Sequence, residues 1–239
     1  MNRLCACHRR PSAHESVMLL RNTDHIKLSD MAYFNTYIES IDMDFWEQIF
    51  RKYGTVYHLR KGEALTVTHG GKAKQMKLAG FVLKGYFKYT VVNHDGNERI
   101  TGFAFRGTPV GDYISTFCDG KAKTNIVAAV DSDVILCPND VVRREFRTRP
   151  EMRLAFAEAL FQQAYMLYLD LYRLTPKERY LALLERYPDI INSISLKEMA
   201  SYLQITPTHL SRIRKELTFG KRDPRSAVLP PPKKIGFFY

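Results

Sequence analysis

The residues best suited to chemistry lie between Ser195 and Leu217, in SLKEMASYLQITPTHLSRIRKEL, where Thr206, Thr208, Ser211, Arg212, Arg214 and Lys215 cluster hydroxyls and cations. Arginine can take guanine O6 and N7 bidentately, hydroxyls can donate to or accept from base edges, and Lys or Arg can neutralise phosphates. Such side chains act only if helices hold them in register. Ser195 followed by Glu198 is a capping box, so the spacing predicts a helix from Leu196 that buries Leu196, Met199, Ala200 and Leu203. Gln204 and Ile205 make a turn, Thr206 caps again, and Pro207 opens a second helix that runs to about Leu217. At about 100° per residue, Leu210, Ile213 and Leu217 share one face. Thr208, Ser211 and Lys215 lie opposite, flanked by Pro207, Arg212 and Arg214. Lys197, with Ser195 and the free N–H groups at the helix starts, can hold phosphate. The pattern leaves one alternative open, a pair of ordinary amphipathic helices with a solvated basic face.

The remaining composition suits a polyanionic partner. The chain has 239 residues, enough for one large or two modest domains, and a formal charge of +11. Its C-terminal end carries Lys221, Arg222, Arg225, Lys233 and Lys234 against Asp223. No run approaches about 18 uninterrupted apolar residues, so no membrane span is expected. The N-terminus lacks an apolar run of signal-peptide length, which makes the cytoplasm the expected location. Cys5, Cys7, Cys118 and Cys137 are too few and too scattered for a disulfide scaffold, so reduced thiols are expected.

Before the helix pair, the pattern changes twice. Tyr33, Phe34, Tyr37, Ile38 and Ile41 are apolar-periodic, and Asp42 or Asp44 can cap a helix carrying Phe45, Trp46, Ile49 and Phe50. From Gly54 to Pro138 the period becomes two, the signature of a small all-β unit. Gly80 to Val92 reads as one strand with Phe81, Leu83, Phe87, Tyr89 and Val91 on one face. Asn93-His94-Asp95-Gly96 turns it into a hairpin with Arg99 to Phe105, and Ile126 to Val130 and Val134 to Cys137 read as further strands. A short helix follows from about Asn139 to Phe146, then a long one from Pro150 to about Leu174. In the long helix Phe156, Leu160, Ala164, Leu167, Leu171 and Leu174 approach heptad spacing. Thr175-Pro176-Lys177-Glu178 is a second capping box and begins a new helical unit, closed by Tyr187-Pro188.

Residues 175 to 217 resemble the DNA-binding unit of the CRP/FNR family of bacterial transcription regulators. The likeness lies in Ala200, in Leu203, Ile205, Leu210 and Ile213 at matching offsets, and in the Thr-Pro-x-x-Leu-Ser-Arg run from Thr206 to Arg212. Arg212 falls on the family's base-contacting arginine. Gln204 stands where the family usually has a turn glycine, and Thr208 where many members carry a base-reading glutamate. The resemblance implies an α+β fold with an N-terminal β jelly roll of the cyclic-nucleotide-binding type, a long dimerisation helix and a C-terminal helix-turn-helix domain. The expected divisions are a disordered extension over residues 1 to 30, the roll over 31 to 149, the dimerisation helix over 150 to 174, the DNA-binding domain over 175 to 218 and a loosely ordered tail over 219 to 239.

The resemblance also implies a homodimer on palindromic double-stranded DNA, joined through Phe156, Leu160, Ala164, Leu167 and Leu171, with RNA polymerase and a small-molecule effector as further candidate partners. Packing of that stripe on the roll is the alternative. In relatives that bind cyclic AMP, a Gly-Glu pair holds the ribose and an Arg-Ser pair holds the cyclic phosphate. The corresponding positions read Gly111-Asp112 and Lys123-Thr124, a shorter acid and a point charge in place of a planar fork. The roll is therefore expected not to take cyclic AMP. A branch of the family holds an iron–sulfur cluster through N-terminal cysteines, but here only Cys5 and Cys7 cluster. His58, His69 and His94 form no H-x-H pair of the kind a jelly-roll metalloenzyme uses, and no Gly-x-Ser-x-Gly, Walker or Gly-x-Gly-x-x-Gly run occurs. No metal, cofactor or enzymatic activity is expected. A cyclic-nucleotide sensor acting through a protein partner is the alternative function.

Overall fold

A computed structural model describes residues 34, 35, 37, 38, 41–65, 68, 69, 72, 73 and 77–219. The expectations for residues 1 to 30, including Cys5 and Cys7, and for the tail beyond Phe219 lie outside the described residues. The first helix, α1 (Met43–Tyr53), starts where Asp42 Oδ1 accepts the Phe45 N–H at 3.0 Å, and it buries Trp46, Ile49 and Phe50.

Strands β1 (Thr55–Leu59), β2 (Thr68–His69), β3 (Lys72–Ala73), β4 (Leu78–Lys84), β5 (Tyr86–Val92), β6 (Glu98–Phe105), β7 (Pro109–Val110), β8 (Asn125–Ala128) and β9 (Ser132–Pro138) follow. All the pairings are antiparallel. One sheet runs in the order β1-β9-β4-β7 and a second in the order β6-β5-β8, with β2-β3 as a separate hairpin. Side chains from both sheets meet in one cluster, with Val82, Val110 and Val134 from the first facing Phe87, Ala104 and Ile126 from the second. That sandwich is the roll.

The expected single strand from Gly80 to Val92 is two. Gly85 takes φ +76, and a Cβ there would press on Ser132, so the chain breaks at this position and crosses from the first sheet to the second. The alternation does not mark the break: in β4 the run from Ala79 to Val82 is buried on both faces, with Phe81 in the cluster around Trp46 and Val82 in the cluster between the sheets. The hairpin expected at 93 to 96 does form, with Gly96 at φ +79.

Short helix α2 (Tyr113–Phe117) interrupts the roll, and α3 (Asn139–Arg147) leaves it. Helix α4 (Pro150–Arg173) then runs for 24 residues and buries only Phe156 and Ala159. The C-terminal unit is α5 (Pro176–Arg186), α6 (Ile190–Ser193), α7 (Leu196–Tyr202) and α8 (Pro207–Phe219). It docks on the second sheet, where Tyr86, Ile100, Phe103 and Phe105 join Tyr180, Tyr187, Met199 and Leu210 in one apolar cluster. Phe34 wedges between the two parts, with ring centroids 5.4 Å from Phe103, 5.0 Å from Tyr187 and 5.3 Å from Tyr202. Aromatic groups of this size dominate the burial energy, at roughly 2 kcal/mol or more for each ring fully removed from water.

Candidate nucleic-acid interface and effector cavity

The helix pair forms as its capping residues dictate. Ser195 Oγ accepts the Glu198 N–H at 3.2 Å, while the Glu198 carboxylate accepts from the Ser195 N–H at 2.9 Å and its hydroxyl at 2.7 Å. The same carboxylate accepts from the Tyr86 hydroxyl at 3.3 Å, and the Ile100 N–H donates to Ser201 Oγ at 3.0 Å, so the second sheet grips α7. Burial, then the charge of Glu198, holds the Tyr86 hydroxyl well above the ordinary tyrosine range. Gln204 makes the turn in the left-handed conformation at φ +58, and the Ile205 N–H closes it on Ala200 O at 3.0 Å. Thr206 Oγ1 accepts the His209 N–H at 3.1 Å and starts α8.

Leu210 and Ile213 anchor α8 inward. Thr208, Ser211, Arg212, Arg214 and Lys215 are exposed, as are Ser195, Lys197 and Thr206. The sheet therefore holds the first helix of the pair and leaves the outer face of the second open. Arg179, for which residue type and spacing alone suggest no role, donates to Leu174 O at 2.8 Å and Leu203 O at 3.2 Å, tying the end of α4 to the turn. Its signal in sequence was faint, a lone arginine behind a capping box.

The roll encloses a second candidate site, a cavity of about 310 Å³. Asp112 is 5% exposed, and its carboxylate is engaged by its own loop. Oδ1 accepts the Ser115 N–H at 2.9 Å, and Oδ2 accepts from the Lys123 N–H at 3.0 Å, the Thr124 N–H at 3.3 Å and the Thr124 hydroxyl at 3.1 Å. The structure thus brings Gly111, Asp112, Lys123 and Thr124 together, but Lys123 contributes its backbone while its side chain is exposed and off the cavity wall. Tyr89 accepts the Gly111 N–H on its hydroxyl at 3.2 Å, and burial pushes that hydroxyl up to about 12. Helix α4 closes the cavity through Gln163, which accepts the Tyr37 N–H at 3.3 Å and donates to Asn35 Oδ1 at 3.2 Å. Gln163 is a polar residue on the otherwise apolar inward face of α4, and that was the available signal.

Among solved structures, FixK2 from Bradyrhizobium japonicum matches at 18% identity over 70% of this chain and 86% of that one, with a TM-score of 0.60. The c-di-GMP responsive global regulator CLP from Xanthomonas campestris matches at 13% identity over 74% and 93%, with a TM-score of 0.57. A CooA mutant from Carboxydothermus hydrogenoformans matches at 11% identity over 72% and 78%, with a TM-score of 0.54. The fold is that of the CRP/FNR regulators. No protein-family model matches the chain, and no curated protein matches its sequence.

On the long helix, the side chains of the stripe expected as a dimer seam are divided between the chain's own core and its surface. Phe156 is only 7% exposed and packs with Trp46 and Phe117 in the chain's own core. Leu160 lines the roll cavity, and Leu167 lines a second cavity of about 620 Å³ between the roll and the C-terminal helices. Only Ala164 and Leu171 of the expected stripe are exposed. The exposed large apolar residues of α4 instead include Leu154, Phe161, Tyr165, Tyr168 and Tyr172, with Phe161 at 66% and Tyr172 at 75%. Their spacing also approaches a heptad, about a third of a turn round the helix from the expected stripe. One 24-residue helix carries two apolar stripes, and periodicity alone could not say which one its own roll would cover.

Among the described residues no group of three or more His, Cys, Asp or Glu could hold a metal. His58 Nδ1 instead lies 2.7 Å from Asp133 on the surface. Cys118 and Cys137 are free thiols. Among the described residues no helix is long and apolar enough to cross a membrane.

Proposed function

We propose that the chain is a sequence-specific DNA-binding transcription regulator that acts as a homodimer on a palindromic site. The observation that carries the proposal is the exposed face of α8, where Thr208, Ser211, Arg212 and Lys215 project from a helix whose opposite side is anchored by Leu210 and Ile213. In this reading α8 enters the major groove, and Arg212 takes the specifying contact. Ser195, Lys197, Thr206 and Arg214 hold phosphates and set the register.

The partner protomer covers Leu154, Phe161, Tyr165, Tyr168 and Tyr172 of α4, a stripe too apolar to favour water. Two copies then present two reading helices about one DNA turn apart, which is what a two-fold site requires. RNA polymerase is a further candidate partner, the cytoplasm is the expected setting, and no enzymatic activity is assigned.

The roll acts as the sensor, and it does not take cyclic AMP. Asp112 spends its carboxylate on Ser115, Lys123 and Thr124, and the Lys123 side chain stays off the cavity wall. Calorimetry with cyclic AMP and cyclic GMP checks this, with micromolar binding as the contrary result.

Selection from random duplexes at fixed salt, followed by sequencing of the retained fraction, tests the reading as a whole. Enrichment of a two-fold-symmetric sequence with half-sites about one helical turn apart is the expected outcome. Retention that is salt-sensitive but indifferent to sequence would overturn it.

A further inference from the structure

We infer that Phe34 and Asn35, just ahead of α1, fix the angle between the roll and the C-terminal unit and thereby the half-site spacing that the protein accepts on DNA. The inference rests on the reading of the chain as a dimeric DNA-binding regulator and adds the residues that set its geometry. The covalent link leaves that angle open. Only Leu174 and Thr175 join α4 to α5, and both are extended. The orientation of the C-terminal unit is therefore set by what packs across the joint.

Strand β6 is the place where that packing occurs. It is an edge strand, paired with β5 on one side only, and the backbone groups of such an edge need a cover. Helix α7 supplies part of it, because the Ile100 N–H donates to Ser201 Oγ at 3.0 Å. Asn35 supplies another part. It is 6% exposed, its Nδ2 donates to Phe103 O at 3.0 Å, and its Oδ1 accepts from Gln163 of α4 at 3.2 Å. One buried side chain thus joins the sheet edge to the long helix.

Phe34 joins both to the C-terminal unit. It is buried, and its ring centroid lies 5.4 Å from those of Phe103 and Phe105 in β6, 5.0 Å from that of Tyr187 at the end of α5 and 5.3 Å from that of Tyr202 in α7. Removing this ring leaves a gap between the strand and the helices, and rings that lose a partner across a gap lose their dispersion contacts with it. A unit held by fewer contacts samples more angles. On a two-fold site, one inserted base pair moves a half-site about 3.4 Å along the duplex and about 35° around it. A stiff joint cannot follow that change, whereas a loosened one can.

The test is competition binding by the full chain to the selected two-fold site and to the same site with one base pair added or removed between its half-sites. The wild type should lose about tenfold or more in affinity on either change. Phe34→Ala should lose less than about threefold, with its affinity for an isolated half-site unchanged because the exposed face of α8 is untouched. Ser201→Ala leaves the aromatic cluster intact, removes the bond to Ile100 and should relax the spacing requirement in the same direction. Loss of half-site binding by Phe34→Ala would mark a folding defect, and Ser201→Ala then decides. Spacing discrimination kept by both variants overturns the inference, as does a wild type indifferent to spacing. Tighter binding of Phe34→Ala to the selected site also overturns it, since the joint would then be a restraint on binding. A two-fold site with unaltered discrimination in the variants sinks this inference alone, whereas the absence of any two-fold site sinks the regulator reading with it.

Discussion

Arg212 and Asp112 show how differently two charged residues can be used in one chain. Arg212 is exposed on α8, with no hydrogen bond or ion pair to another described residue. Arg212→Ala should cost about 1–3 kcal/mol of discrimination at one base pair and leave affinity for other sequences nearly intact, as read by competition binding across single-base variants of the selected site. Asp112 is buried, and its carboxylate accepts four donors of its own loop. Asp112→Asn replaces one acceptor oxygen with a donor that must face other donors, so urea unfolding should show a loss of about 2 kcal/mol. Gln204 lies between these cases. Its left-handed φ of +58 is a conformation that glycine adopts freely, so Gln204→Gly should raise stability by about 1 kcal/mol in a thermal melt without changing the DNA site.

Helix α4 is the element that touches both the roll and the C-terminal unit. Its inward side carries Phe156, Ala159, Leu160 and Gln163 into the roll, and its outward side carries Leu154, Phe161, Tyr165, Tyr168 and Tyr172. If the outward stripe is the dimer seam, Phe161→Glu combined with Tyr168→Glu buries like charges against each other and converts the dimer to monomer. Sedimentation equilibrium would detect the change, and the melting of the roll should be unaffected because neither residue packs within it. A dimer that survives both substitutions would place the seam elsewhere. The helix-turn-helix is less dependent on assembly, since its two capping residues, its turn and its apolar anchors lie within residues 195 to 217.

The whole molecule is held together by aromatic groups whose hydroxyls must stay neutral. Burial pushes Tyr89 and Tyr202 up to about 12, and raises Tyr86 and Tyr37 further. A group whose folded value is raised contributes stability below its unfolded value and loses it as pH climbs through the folded one. The unfolded chain ionises its tyrosines from about pH 10, whereas the folded chain resists, so the urea midpoint should fall as pH rises from about 10 to about 12. Spectrophotometric titration should show a delayed set of tyrosines that ionise together with unfolding.

Local chemistry made the C-terminal helix pair legible from the sequence alone. Ser195 with Glu198, Thr206 with Pro207, and Thr175 with Glu178 are short-range instructions that the backbone obeys wherever the chain ends up, so the helix starts follow from residue types. The alternation in the roll was legible for the same reason, because inward and outward positions repeat every two residues. Tertiary structure decided what local rules leave degenerate. Gly85 split one apparent strand between two sheets because the roll needed a crossing there. Helix α4 turned Phe156 inward because the aromatic cluster around Trp46 offered it more burial than solvent did. In each case the deciding partner is distant in sequence, and a contact between distant residues exists only after the chain has closed on itself.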